Sequence, residues 1–383
     1  MIHIAEPSKC CGCSACAQRC PQSCVTMQAD AEGFVYPVVD QSKCIDCHLC
    51  EMVCPVLNRQ DSREPIAVFS AKHNSEPIRM SSSSGGVFSL LAQMVLEQNG
   101  VVFGARFDSQ WNVVHDYIES MEDLHLFRGS KYLQSQIGNC FAQAERFLKE
   151  GRLVLFTGTP CQIAGLNAYL GKNYENLLSA DIVCHGAPSP KFWQDYLSSL
   201  GIKGIQSINF RCKETGWKAY SVKVVGENEI YMTRYGNDQY FQAFLSDLSL
   251  RPSCYSCPAK AGSSHSDITL GDFWGIAKFD AEMDDDKGVS LVLVHTPNGE
   301  KHIKAITDKG MFKSMSYEMA VEKNPSIIRS SKRKECVDEF WRRYHRDGIK
   351  GVSKMLKKMR RPKLTLGVII YTLKTTIYKM IKR

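Results

Sequence analysis

The chain has 383 residues, 44% hydrophobic and 23% charged, with a formal net charge of +8. That composition excludes disordered, collagen-like and low-complexity proteins and suits two or three folded domains of roughly 100 to 200 residues each. Residues 342–383 carry fourteen Lys and Arg against the single acid Asp347, which leaves the rest of the chain at −5, and no nucleic-acid-binding motif accompanies this basic tail.

Ten of the seventeen cysteines fall in the first 54 residues, within an internal repeat. Cys10, Cys13, Cys16, Cys20 and Pro21 recur as Cys44, Cys47, Cys50, Cys54 and Pro55, each shifted by 34 residues. The N-terminus has no basic stretch followed by an apolar one, so a reducing cytosol is the expected compartment, where such cysteines are metal ligands or redox centres before they are disulfides. Residues 1–58 are expected to form one duplicated domain, and the polar stretch 59–65 reads as a linker.

From residue 66 the pattern alternates. Strands are predicted over 66–72, 101–105, 113–118, 153–157, 177–184, 205–211, 221–225 and 290–295, and helices over 86–98, 137–149, 161–170 and 190–200. This gives an α/β or α+β body over 66–330. The basic tail, 331–383, has helical spacing over 352–359 and 366–381, and its apolar run 364–373 is shorter than the ~20 residues a membrane span needs. Two readings stand for it: an amphipathic helix on anionic lipid or an acidic partner, giving peripheral attachment to a membrane, or a helix packed on its own body or a partner subunit.

Each cysteine run reads C-x2-C-x2-C-x3-C-P, the spacing by which bacterial two-cluster ferredoxins hold [4Fe–4S] cubes. Three thiolates on one loop reach three corners, and the fourth serves the other cluster. One cluster is therefore assigned to Cys10, Cys13, Cys16 and Cys54, and the other to Cys44, Cys47, Cys50 and Cys20. Zinc also uses C-x2-C pairs, but eight ligands in this doubled spacing favour clusters. Cys11 and Cys24 fall outside the register and read as small buried residues.

In the body, Cys161 and Cys184 each follow a predicted strand, at the edge of an α/β sheet where ligands bind, and Cys254-x2-Cys257 is a cluster-like or zinc-like fragment. The four could converge on a third [4Fe–4S] cluster. Cys140 and Cys212 have no such context and read as core residues.

Several segments resemble the coenzyme F420 hydrogenase/dehydrogenase β-subunit family, whose relatives include 7-hydroxymethyl chlorophyll a reductase. They are Ser82 to Phe88, Arg128 to Tyr132 with Gln134 and Ser135, Gly158 to Ile163, Cys184 to Gly186, Cys254 to Cys257, and Ser266 to Ile268 with Gly271 and Asp272. The resemblance implies an FAD-binding domain with a cluster beside the flavin, held by Cys161, Cys184, Cys254 and Cys257. The candidate FAD contacts are Ser83, Ser84, Gly85, Gly86, Lys131, Tyr132, Thr157, Gly158 and Thr159.

Chemistry supports a flavin separately. Cubes pass single electrons, organic reductions move hydride, and a flavin does both. Ser83 to Gly86, entering a helix, suits a pyrophosphate or is an ordinary Ser/Gly helix start. Lys131 is a candidate cation beside the flavin ring or a surface lysine. His185 is a candidate proton relay or a hydrogen-bonding neighbour of a ligand. Neither G-x-G-x-x-G nor a Walker A run occurs, so a nicotinamide donor is not supported.

The expected function is an iron–sulfur flavoprotein oxidoreductase that trades single electrons with a ferredoxin-like protein and hydride with a small molecule, a deazaflavin coenzyme being one candidate. The alternative is a non-catalytic electron-transfer subunit docked on a partner enzyme.

Overall fold

The computed structural model describes residues 1–360. In chain order its elements are α1 (Ala15–Arg19), β1 (Val25–Ala29), β2 (Val35–Val39), α2 (Leu49–Met52), β3 (Ala67–His73), α3 (Glu76–Ser81), α4 (Val87–Glu97), β4 (Val101–Phe107), β5 (Val113–Ile118), α5 (Cys140–Lys149), β6 (Val154–Gly158), α6 (Pro160–Leu170), β7 (Leu177–Ile182) and α7 (Pro190–Ser199). There follow β8 (Ser207–Cys212), β9 (Ser221–Val225), β10 (Ile230–Arg234), α8 (Gln239–Leu245), β11 (Ile268–Asp272), β12 (Ser290–Val294), α9 (Pro297–Lys304), β13 (Gly310–Ser314), α10 (Tyr317–Glu322) and α11 (Val337–Arg360).

An eight-stranded sheet runs in the order β13-β3-β12-β11-β7-β6-β4-β5. Its centre, β4-β6-β7-β11, is parallel, and the strands on either side are antiparallel. Alternation along the strands sends neighbours to opposite faces. Val102 and Leu155 pack with Leu90, Leu91 and Val95 of α4, while Phe103 and Phe156 pack with Phe141 of α5 and Ile163 and Leu166 of α6. The body is thus an α/β/α stack, as the alternation predicts.

A second core joins the three-stranded sheet β10-β9-β8 to α7, α8 and α11. Here α11 buries Val337, Phe340, Tyr344, Val352 and Leu356 against aromatic residues that include Phe192 and Tyr240. The helical spacing expected at 352–359 lies in α11, and its apolar face is taken by the chain's own body, which removes that face from a lipid surface. The segments expected at 364–373 and 366–381 lie outside the described residues. Among the described residues no helix is long and apolar enough to cross a membrane.

The segment 59–65 is not a free tether. Arg63 N–H donates to the Ala261 carbonyl at 2.9 Å and Ile66 N–H to Val294 at 2.7 Å, so the chain is fastened to the body as it enters the sheet. The N-terminal unit pairs β1 with β2 and docks on helix N-termini of the body. Gln18 of α1 accepts from Phe141 N–H and Ala142 N–H of α5 at 3.0 and 3.2 Å, satisfying donors that a helix start leaves free.

Candidate functional site

The repeat in sequence is a repeat in backbone. Gly12 and Ser14 have φ of 69° and 64°, and their counterparts Asp46 and His48 have φ of 51° and 60°. These left-handed turns wrap each cysteine loop around a point and feed Cys16 into α1 and Cys50 into α2. Cys20, Cys44, Cys47 and Cys50 line one small apolar cavity, with Cys24 beside them and its Sγ 3.3 Å from that of Cys20. Cys10, Cys16 and Cys54 form the other group. Burial, with the negative charge of Cys10 and Cys54 adding, pushes the Cys16 thiol up to about 12, and burial likewise raises Cys54. Ionising such crowded thiols is costly until positive iron binds them.

The unit presses on the body through Cys13. A Cβ at Gly165 of α6 would come 2.9 Å from Cys13 Sγ, so the glycine allows the contact. Cys11 faces the body too. It is buried, and the neighbouring Cys11 thiol, with burial, raises Cys161 well above its ordinary value. Cys11 is thus buried, as its position outside the register suggests, and faces the body as well.

At the carboxyl ends of β6, β7 and β11 lies a cavity of about 800 Å³ lined by Cys161, Cys184, Cys254 and Cys257. Cys161 is the second residue of α6, whose start is fixed by a capping box between Thr159 and Gln162. Cys184 lies just beyond β7, and Cys254 and Cys257 lie on and just after the turn Pro252–Ser256. Burial, reinforced by the Cys161 and Cys257 thiols, pushes Cys184 up to about 12, and Ala187 N–H donates to Cys254 Sγ at 3.3 Å. Among the described residues no three His, Cys, Asp or Glu side chains approach closely enough for a single ion.

The rest of the cavity wall is aromatic and cationic. Trp274 stacks on Trp217 with ring centroids 4.7 Å apart and 10° between planes. Arg211, buried in β8, pairs with Asp272 at 2.8 Å, lies 4.1 Å over Tyr220, and has a buried Nε without a hydrogen-bond partner. Its Nη1 also donates to the Tyr132 hydroxyl at 3.0 Å. Lys131 lines the same wall. Its Nζ donates to the Leu126 and Arg128 carbonyls at 2.9 and 3.1 Å, and burial without a carboxylate lowers its pKa to about 7. His185 Nε2 lies 2.7 Å from Asp247 Oδ1, with the ring edge-on to Phe244. A planar ligand with anionic groups fits these residues.

Lys131, Tyr132, Thr159 and His185 thus join the four cysteines, but the other candidate FAD contacts do not line the cavity. Ser83 Oγ accepts from Ser130 N–H and its hydroxyl at 2.5 and 2.8 Å, and Ser84 Oγ donates to Val289 at 2.8 Å. Gly85 N–H donates to Ser290 Oγ, and a Cβ there would meet the Ala71 carbonyl at 2.3 Å. A Cβ on Gly86 would come 3.0 Å from that of His73. The turn is a joint among β3, β12 and α4. Thr157 Oγ1 donates to the Phe103 carbonyl at 2.9 Å, and Gly158 packs against the Gln162 side chain. Both are scaffold for Thr159. Arg211 and Trp274 are additions, foreshadowed only by a charged residue in an apolar strand and by an aromatic just after Gly271-Asp272.

A second cavity of about 840 Å³ lies across Cys11 and Cys161 from the first, along α6. It holds neither Cys184 nor the Cys254–Cys257 pair, and Tyr174 is its one aromatic lining residue.

Residues 151–319 match the family described as coenzyme F420 hydrogenase/dehydrogenase, C terminus of the beta subunit, and residues 9–58 match the 4Fe-4S dicluster domain. No curated protein matches the chain. Among solved structures, a chain of the xenon-derivatised F420-reducing [NiFe] hydrogenase complex from Methanosarcina barkeri is similar at 20% identity, covering 70% of this chain and 92% of that one, with a TM-score of 0.46.

Proposed function

Because the chain belongs to the coenzyme F420 hydrogenase/dehydrogenase β-subunit family through residues 151–319 and carries a 4Fe-4S dicluster domain at 9–58, we propose that it is an iron–sulfur flavoprotein oxidoreductase acting on a small molecule. The observation that carries this is the gathering of Cys161, Cys184, Cys254 and Cys257 on a cavity that also presents Lys131, Thr159 and Trp274.

When bound, FAD supplies exchange of an electron pair as hydride, and the clusters supply single-electron steps. Thr159 and the N-terminus of α6 would hold the anionic part of the cofactor, Trp274 and Tyr132 would hold its ring, and Lys131 would offer a positive charge near neutral pH. Asp247 Oδ1 lies close to His185 Nε2, and among the described residues neither of these buried atoms has a hydrogen-bond partner. The two N-terminal ligand sets are those expected from the repeat. Contacts of Cys11 with Cys161 and of Cys13 with α6 make Cys10, Cys13, Cys16 and Cys54 the inner N-terminal set. Cys47, exposed on the other set, is where a ferredoxin-like protein approaches. The deazaflavin coenzyme of the family's name is one substrate to test.

Anaerobic purification with iron, acid-labile sulfide and flavin counted per chain tests this. About twelve iron and one FAD are expected. About eight iron and no flavin, after FAD has been supplied, would leave a non-catalytic electron-transfer subunit instead.

A further inference from the structure

Arg251 is 1% exposed, and among the described residues no carboxylate is in ion-pair contact with it. Its donors go to neutral oxygens: Nε to the Cys10 carbonyl at 2.8 Å, Nη1 to Gln134 Oε1 at 2.9 Å and Nη2 to the Val35 carbonyl at 2.9 Å. The guanidinium lies 4.3 Å from the centre of the Tyr36 ring. A buried charge without a counter-charge is costly, and a guanidinium does not escape by losing its proton. The missing negative charge must come from something nearby.

Two cysteine loops meet at this residue. On one side, Gly12 between Cys11 and Cys13 lies so close that a Cβ there would come 2.8 Å from Arg251 Nη1. On the other, Arg251 leads into the turn that carries Cys254, whose N–H donates to the Arg251 carbonyl at 2.9 Å. It also lines the cavity that Cys161 lines.

We propose that Arg251 is the shared counter-cation of two iron–sulfur clusters, one on Cys10, Cys13, Cys16 and Cys54 and one on Cys161, Cys184, Cys254 and Cys257, and that it raises the reduction potential of both. This rests on the ligand sets of the proposed function. Each electron added to a cube with four thiolates adds one unit of negative charge and no proton. A fixed cation in a medium of low dielectric therefore stabilises the reduced form more than the oxidised one. The set that includes the exposed Cys47 lies beyond this pair and gains least. Arg251 thereby makes the junction between the N-terminal unit and the body the place where an electron rests.

The test is a redox titration of the reconstituted full chain followed by electron paramagnetic resonance, with iron counted in every sample. In Arg251→Met the reduction equilibria of the two inner signals are expected to fall at least tenfold, which is 59 mV for one electron, with the outer signal unmoved. Arg251→Lys keeps the charge without the fork, and both inner signals are expected to stay within about threefold of the parent. Should Arg251→Met fail to hold iron, Gln134→Glu places a carboxylate against Nη1 and is expected to lower the same two signals. Unmoved inner signals in an iron-replete Arg251→Met or Gln134→Glu protein would overturn the proposal, as would Arg251→Lys moving them as far as Arg251→Met. About eight iron in the parent chain removes the body cluster from the proposed function, a separate failure. The proposal is then decided by the Cys10–Cys54 signal alone.

Discussion

The N-terminal cysteines are gathered by chain that turns back on itself between Cys10 and Cys54, through helices of five and four residues and one hairpin. Cys161, Cys184, Cys254 and Cys257 are instead delivered by the ends of β6 and β7 and by a separate turn, and an eight-stranded sheet fixes where those ends lie. A unit as small as the first has too little apolar surface to hold itself together, whereas the body has cores on both faces of its sheet. Iron is therefore part of the fold in the N-terminal unit, whereas on the proposed function it would be a guest in the body.

The largest expected effect tests that contrast directly. When a chelator removes iron, backbone amides of residues 10–54 are expected to lose their protection from hydrogen exchange while those of β6, β7 and β11 keep theirs. Simultaneous opening of both regions would erase the distinction. Next comes Asp272→Asn, which leaves Arg211 buried without its carboxylate and is expected to cost about 3–5 kcal/mol. Denaturant unfolding followed by tryptophan fluorescence measures that loss, and iron–sulfur absorbance of the N-terminal unit is expected to survive beyond it.

Gly165→Ala addresses the contact between the two regions. Its new methyl would press on Cys13, an overpacking expected to cost about 1–3 kcal/mol and to slow electron passage from the N-terminal unit to the body, read by stopped-flow reduction. The smallest effect is on pH dependence. Burial holds Lys131 at about 7, below its ordinary 10.5, so the unfolded chain binds the extra proton between these values and stability rises with pH across that window. Lys213, lowered to about 7 by burial, adds a slope of the same sign. Lys131→Met is expected to remove its share and leave the rest, measured as denaturant midpoints at pH 7 and pH 10.

How much of this could be read in the sequence depends on how local the cause is. The eight-cysteine repeat was legible because loop, turn and ligand lie within a few residues of one another. The same holds for β9, read over its full span from alternating apolar residues, and for α6, whose capping residues adjoin it. Elements that owe their place to distant partners were not anticipated: β10 and β13 carry no buried residue, and α8 is short and held by its burial of Tyr240, Phe241 and Phe244. Ser83 to Gly86 reads two ways for a physical reason. Hydroxyls and glycines that suit an anion suit equally the closure of a joint between β3, β12 and α4, and only the tertiary neighbours decide. Arg211, Arg251 and Trp274 were invisible as a group because β8, the turn before Cys254 and the end of β11 become neighbours only through folding.

The duplicated turns carry a last consequence. Their backbones match, yet the first left-handed position is Gly12 in one copy and the exposed Asp46 in the other. The copy that meets Arg251 and Gln134 has no room for a side chain, while the copy facing water carries a charge. The unit is therefore a key cut on one edge. Its internal symmetry would let it seat two ways round, and a single missing side chain leaves one of them.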